Sequence, residues 1–232
     1  MVAIKGLEKF APKDFPGFIS STVFLARCNF RCPYCHNADL VVRPDSLDDI
    51  PLDFFLAYLD ARKGWLEGIC VSGGEPLAVP DVEGLLTVIK SRGLLVKLDT
   101  NGSLPDRLAL LIGSGLVDQV AMDIKSAPGR YAEVTRSGVD PADVERSVGI
   151  VRGSGRPYLF RTTVVPGLVG EEDVRTISDW LSGSAAYQLQ QFSPVNTLDP
   201  DFAKIEPFSR AEIQRLADIA RPHFNDVRIE GI

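Results

Sequence analysis

The order of apolar and helical segments predicts an α/β chain, a partial (β/α)6 TIM-like barrel with its active site at the C-terminal ends of the strands. Three observations carry this. Runs of β-branched and aliphatic residues recur near 18–26, 67–72, 94–99, 117–124, 157–165 and 186–192. Amphipathic helical stretches separate them, and each run yields to polar residues at its C-terminal end. In a parallel barrel those ends share one rim, where the loops build the site.

Taken in order, the first run passes into Cys28–Cys35. Pro51 then stands at a first-turn position ahead of Phe54, Phe55 and Leu59, which share a helical face. The second run ends in Ser72-Gly73-Gly74-Glu75-Pro76, and Gly93 caps the helix that follows. Asp99-Thr100-Asn101-Gly102 closes the third run, with Gly113 as the next C-terminal cap. Asp123 and Lys125 close the fourth, and Asp140-Pro141 opens a helix carrying Val144 and Val148. Arg161 and Thr163 mark the fifth, Gln190 and Ser193 the sixth, and Ser209 with Glu212 is spaced as a capping box for the last helix. Side chains alternate along a strand, so Lys97, Asp99 and Asn101 share a face, as do Asp123 with Lys125 and Arg161 with Thr163. Charges facing a barrel interior need partners or a ligand.

The 232 residues, without repeats, low-complexity tracts or long linkers, suit one domain spanning 1–232. A net charge of −6 argues against a nucleic-acid binder. No apolar run is long enough to span a membrane and no cationic leader precedes the first run, so the expected address is cytoplasmic.

Three of the four cysteines, Cys28, Cys32 and Cys35, fall in one short run. Thiolates at that spacing can converge on an iron–sulfur cube, since soft metals take cysteine sulfur. Three thiolates leave one iron of a cube without a protein ligand, and an open position on a metal marks a place for substrate or cofactor. A Cys3His zinc site adding His36 is the alternative. It suffers because structural zinc usually draws ligand pairs from two knuckles, and His36 directly follows Cys35. Cys70, within Ile69-Cys70-Val71, reads as a buried small hydrophobe, and His223 is assigned no role.

The Gly73-Gly74 pair lets backbone bend and approach a ligand, with Glu75 presenting a carboxylate at the same rim. Asp99, Asp123 and Thr100 offer hard oxygens that could hold a small cation or hydrogen-bond a cationic or hydroxylated ligand. Lys125 and Arg161 offer positive charge for a carboxylate. Tyr34 and His36 flank Cys35 and could meet the face of a purine.

Cys28-x3-Cys32-x2-Cys35, with an aromatic before the last cysteine, followed by Gly73-Gly74-Glu75-Pro76, resembles the radical S-adenosylmethionine superfamily. The resemblance implies a [4Fe-4S] cluster on Cys28, Cys32 and Cys35 whose remaining iron binds the amino and carboxylate groups of S-adenosyl-L-methionine. Its reduction would release methionine and a 5′-deoxyadenosyl radical. Asp14-Phe15-Pro16-Gly17, Cys35-His36-Asn37, Leu98-Asp99-Thr100-Asn101-Gly102, Met122-Asp123-Ile124-Lys125 and Arg161-Thr162-Thr163-Val164-Val165-Pro166-Gly167 resemble the glycyl-radical-enzyme activating proteins. The likeness is nearest to the type serving anaerobic ribonucleoside-triphosphate reductase, with pyruvate formate-lyase activating enzyme a relative.

By matching motif, Gly74 and Glu75 are expected at the cofactor's amino group, Lys125 and Arg161 at its carboxylate or ribose, and Asp99 with Asp123 at a polar or monovalent-cation site. Tyr34, His36, Asn37, Gly73 and Asn101 complete the expected cofactor-binding set. Arg27 stands where the family usually has glycine, and Gln188–Phe192 lacks the histidine that pyruvate formate-lyase activators place there.

The expected partners are a glycyl radical enzyme as protein substrate and a low-potential electron donor such as flavodoxin or ferredoxin. Cys70 alone cannot ligate a second cluster. Two alternatives stand beside this reading: a small-molecule enzyme of the same superfamily, resembling 7-carboxy-7-deazaguanine synthase, and a non-enzymatic metal or iron–sulfur protein, which predicts four filled ligand positions.

Overall fold

A computed structural model describes residues 2–232. Eight strands form one sheet in sequence order: β1 (Ile4–Glu8), β2 (Ser20–Leu25), β3 (Gly68–Gly73), β4 (Leu95–Thr100), β5 (Gln119–Asp123), β6 (Tyr158–Val164), β7 (Ser184–Gln191) and β8 (Phe224–Glu230). β1 runs antiparallel to β2, and every later pair is parallel. β1 and β8 do not pair with each other, so the curled sheet stays open along one side.

The strands β2 to β7 are the six that the aliphatic runs predict. Both additional strands are edges, with charged residues among apolar ones, as in Phe224-Asn225-Asp226-Val227-Arg228-Ile229-Glu230. Charge on an edge strand blocks pairing with other chains and also hides the strand from an apolar-run reading.

Helices α1 (Ala38–Val42), α2 (Leu52–Asp60), α3 (Val82–Lys90), α4 (Pro105–Gly113), α5 (Tyr131–Thr135), α6 (Pro141–Gly153), α7 (Glu171–Trp180) and α8 (Arg210–Ala220) link the strands. Their apolar faces bury Leu85, Leu86 and Ile89 of α3, Val174 and Ile177 of α7, and Ile213 and Ala217 of α8 against the sheet. The Asp140 side chain accepts from Ala142 N at 2.9 Å ahead of Pro141, and Ser209 with Glu212 forms the reciprocal capping box. One punctuation mark is corrected: Gly113 lies inside the last turn of α4, and the left-handed residue after it is Gly115, at φ +72°. Among the described residues no helix is long and apolar enough to cross a membrane.

Candidate active site

The C-terminal ends of β2 to β7 surround a cavity of about 570 Å³. The loop after β2 brings Cys28, Cys32 and Cys35 to its wall, all three as free thiols. Burial pushes the Cys28 thiol up to about 12 and Cys32 to about 11, with the Glu75 carboxylate adding to the rise at Cys28. Cys35 is raised by burial too. Without metal, the three are neutral.

Two contacts fasten this loop. Leu198 N donates to Cys35 O at 3.1 Å and Asp199 N to Pro33 O at 2.9 Å, so the segment after β7 leans on the cysteines. From β3, Gly74 N donates to Leu25 O and Glu75 N to Arg27 O, each at 2.9 Å. Gly73 has φ +122°, and a Cβ on either glycine would overlap backbone of residues 25–27. Both glycines also line the cavity. The close approach that the pair permits is therefore first an approach of one loop to the other. Arg27 takes φ +70°, so the left-handed angle glycine would favour here is kept with a side chain present.

Glu75 requires a correction. Its side chain is fully buried behind the rim rather than presented to the cavity. Oε1 accepts from Leu77 N at 3.0 Å and Thr100 Oγ1 at 2.7 Å, and Oε2 accepts from Asn101 N at 2.6 Å. The carboxylate ties the loop after β3 to the loop after β4, and burial raises its pKa to about 7 against those three donors.

Inside the barrel the predicted charged residues form one alternating row. Lys97 Nζ bonds Asp99 Oδ1; Arg161 Nη1 donates to Asp99 Oδ2 at 3.0 Å and Arg161 Nε to Asp123 Oδ1 at 2.8 Å; Lys125 Nζ donates to Asp123 Oδ2 at 2.9 Å. Burial pushes the Asp99 carboxyl up, but Arg161 and Lys97 outweigh it and hold it below its ordinary value. At Asp123, Arg161 and Lys125 overcome burial by a wide margin. Burial would lower Lys125, yet Asp123 first and then Tyr34 and Cys32 raise it well above the ordinary lysine value. Three cations alternate with two carboxylates in this row, and of the cations Lys125 and Arg161 line the cavity. Those two suit a ligand carboxylate.

Tyr34 packs with its ring buried and its hydroxyl without a hydrogen-bond partner, against the cavity. His36 lines the same wall, its pKa lowered first by burial and then by Lys125. Asn37 Nδ2 donates to Gly73 O at 3.2 Å. Asn101 reaches Asn29 and the Cys28 sulfur. Cys70 is buried in β3, directly opposite Lys97.

The cavity also takes in residues outside the predicted set. Asp14, an exposed residue of the β1–β2 connection, accepts from Thr22 Oγ1 at 2.5 Å on the cavity wall, and Ser72, Thr163, Gln190, Gln191, Ser193 and Asn196 contribute further wall. Thr22 carries a legible signal, a hydroxyl on the inward face of a strand; Asp14 lies on a connection, where its signal is its place in Asp14-Phe15-Pro16-Gly17.

Among the described residues no three His, Cys, Asp or Glu side chains converge tightly enough to hold one metal ion. A cube takes one thiolate on each of several irons, and Cys28, Cys32 and Cys35 stand as three free thiols on one cavity wall. With the orphaned Tyr34 hydroxyl and the Lys125 and Arg161 cations on the same wall, the residues fit a [4Fe-4S] cluster with S-adenosylmethionine beside it.

A thiol-lined rim on an open, mostly parallel α/β sheet defines a radical-SAM type of protein, and the family model described as the Radical SAM superfamily matches residues 22–181. The chain belongs to that superfamily and, within it, to the glycyl-radical-enzyme activating family. It is 31% identical to a protein of Methanocaldococcus jannaschii described as a "putative glycyl-radical enzyme activating enzyme", over 99% of this chain and 96% of that one. It is 27% identical to the pyruvate formate-lyase-activating enzyme of Streptococcus mutans, over 84% of this chain and 78% of that one. Among solved structures, Streptococcus suis SuiB bound to S-adenosylmethionine superposes with a TM-score of 0.66 at 17% identity, over 88% of this chain and 48% of that chain. A domain of pyruvate-formate lyase-activating enzyme from Bacteroides vulgatus gives 0.56 at 16%, over 71% and 99%. These two likenesses are of fold.

Proposed function

We propose that this chain activates a glycyl radical enzyme by removing a hydrogen atom from a backbone glycine Cα of that partner, with anaerobic ribonucleotide reductase the candidate. The observation that carries it is the set of three free thiols on the wall of a rim cavity that Lys125 and Arg161 also line. When bound, the reduced cluster and S-adenosylmethionine supply a carbon-centred radical able to take hydrogen from an unactivated C–H bond.

The protein's work is ligation, orientation and exclusion of water. Cys28, Cys32 and Cys35 hold the cluster. Lys125 and Arg161, each already fixed by Asp123, receive the cofactor's carboxylate, and backbone at Gly73 and Gly74 faces its amino group. Tyr34 and His36 border the place of its base. The monovalent cation expected beside Asp99 and Asp123 is replaced by Lys97, whose ammonium already occupies Asp99 at 3% side-chain exposure.

The open side of the sheet admits a peptide loop, which must bring its Cα to roughly 3–3.5 Å from the reacting carbon. Electrons come from a low-potential carrier such as flavodoxin or ferredoxin. A reducing cytoplasm, where thiolates persist, is the compartment in which this works.

The test uses anaerobically reconstituted protein and candidate partners deuterated at glycine Cα. Label arriving in 5′-deoxyadenosine together with a glycyl radical signal on the partner supports the proposal. Unlabelled 5′-deoxyadenosine and a silent partner, with a small metabolite instead accelerating cofactor cleavage, would replace it by the small-molecule reading.

A further inference from the structure

A closed ring of side-chain hydrogen bonds joins the cysteine loop to the loop after β4. Ser103 Oγ donates to Asn101 Oδ1 at 2.6 Å, Asn101 Nδ2 donates to Asn29 Oδ1 at 2.9 Å, and Asn29 Nδ2 donates to Ser103 Oγ at 2.7 Å. Each member gives one hydrogen and accepts one. Ser103 N adds a second bond to Asn101 Oδ1 at 3.0 Å. Asn101 and Ser103 are buried, at 5% and 6% exposure.

This ring settles the orientation of the Asn101 amide. Turning it over would set its NH2 against the Ser103 N–H, donor against donor. The Nδ2 end therefore faces the cysteine loop, and it carries two hydrogens. Asn29 takes one. The other is directed at Cys28 Sγ, 3.9 Å away, where Phe30 N is also a donor at 3.4 Å.

We propose that Asn101 is a positioning residue for the cluster, acting through Cys28: it fixes the cysteine loop and directs an N–H at the sulfur, which raises the cluster's reduction potential. The proposal rests on the cluster reading above. Reduction adds negative charge that is shared by the coordinating sulfurs, so a donor aimed at one of them stabilises the reduced form more than the oxidised form. Asn101 and Ser103 are both buried, so on their side of the sulfur the donor comes from the protein. The ring makes the donor rigid, with no reorganisation as the electron arrives.

The test measures cluster potential, independently of any partner. Wild type, Asn101→Ala, Asn101→Asp and Asn29→Ala are reconstituted anaerobically; iron and sulfide are counted, thermal midpoints recorded, and the cluster titrated by electron paramagnetic resonance. Asn101→Asp is close to the native side chain in size and keeps the acceptor for Ser103 while removing the donor. Both Asn101 variants should retain the cluster but hold it about tenfold less reduced at a fixed poise, about 59 mV for one electron. Asn29→Ala opens the ring yet leaves the hydrogen facing Cys28, and should shift the potential less. Potentials within about twofold of wild type in both Asn101 variants, or loss of the cluster from both, overturn the assignment. Wild-type protein that assembles no cluster would instead bring down the underlying cofactor reading, and this proposal with it.

Discussion

Gly74 has no room for a side chain because the Arg27 carbonyl oxygen fills the space where its Cβ would stand. The two loops that carry the cysteines and the Gly-Gly turn are thus in backbone contact, held by the 2.9 Å bond from Glu75 N to Arg27 O. Gly74→Ala should destabilise the protein by about 3 kcal/mol, at the upper end of overpacking costs, and lower cluster occupancy in whatever remains folded. Gly113→Ala is the control: nothing lies within 4 Å of its Cβ, and it sits in a helix, so it should stabilise by roughly 0.5–1 kcal/mol. Denaturant melts of the two variants check both. A Gly74→Ala protein as stable as wild type would show that the loops can separate.

At Arg27 the backbone angle is left-handed while the side chain is 71% exposed, with Asp45 at 3.5 Å as its ion-pair partner. An exposed pair at that distance contributes little, whereas a left-handed angle on a residue with Cβ costs roughly 1–2 kcal/mol. Part of that is offset by the greater chain entropy of glycine. Arg27→Gly should therefore raise stability by roughly 0.5–1 kcal/mol, and Arg27→Val, with a branched Cβ at the same angle, should lower it. Equal midpoints for the three proteins in urea would mean that the angle relaxes at no cost.

What the sequence discloses here follows what each residue does. The six interior strands are largely buried and therefore read as apolar runs; β1 and β8 are edges, and the charged residues within them conceal them. The three cysteines are legible because metal ligation demands both residue type and spacing. Glu75 is legible as a carboxylate at a strand end, but whether it faces the cavity or the loop behind depends on which donors the folded loops bring to it, and Leu77, Thr100 and Asn101 reach it from two elements. Lys97 is readable as sharing a face with Asp99. That it saturates Asp99, together with Arg161 from two strands away, emerges only from the sheet order.

On the proposed reading Lys97 stands in the place of a free cation beside Asp99. Exchanging sodium, potassium and choline chlorides at constant ionic strength should leave S-adenosylmethionine affinity of the reconstituted protein within about twofold. Lys97→Met removes the ammonium and leaves Asp99 with Arg161, so it should destabilise by less than the cost of a fully unpaired buried charge, about 3–5 kcal/mol. If that variant folds, small cations should restore part of its stability and choline should not. Salt-specific affinity in the wild type, at equal ionic strength, would contradict the built-in cation.

Glu75 gives the prediction in which protonation and structure are joined. Its folded pKa is raised to about 7 from an ordinary value of 4.5, chiefly by burial. The sign follows from proton counts. Between those two values the folded protein holds a proton that the unfolded chain has released, so folding is favoured by acid: the contribution is present in full below the unfolded value and is lost as pH rises through about 7. With full burial, the difference between the ends of that window is about 3 kcal/mol. Glu75→Gln cannot titrate, so the stability difference between wild type and variant should grow as pH falls from about 7.5 toward 5 and flatten above about 7. Glutamine also places an NH2 where Oε1 or Oε2 accepts, setting a donor against Leu77 N and Thr100 or against Asn101 N, at a cost of roughly 1–3 kcal/mol. Above pH 7 the two effects oppose each other, since the variant escapes the buried charge while losing an acceptor; in acid the native carboxyl is neutral, so the charge effect fades and the acceptor difference remains. Urea melts of the pair across that range read the slope. A pH-independent difference would show that the Glu75 carboxyl keeps its ordinary pKa, with its three donors compensating fully for burial.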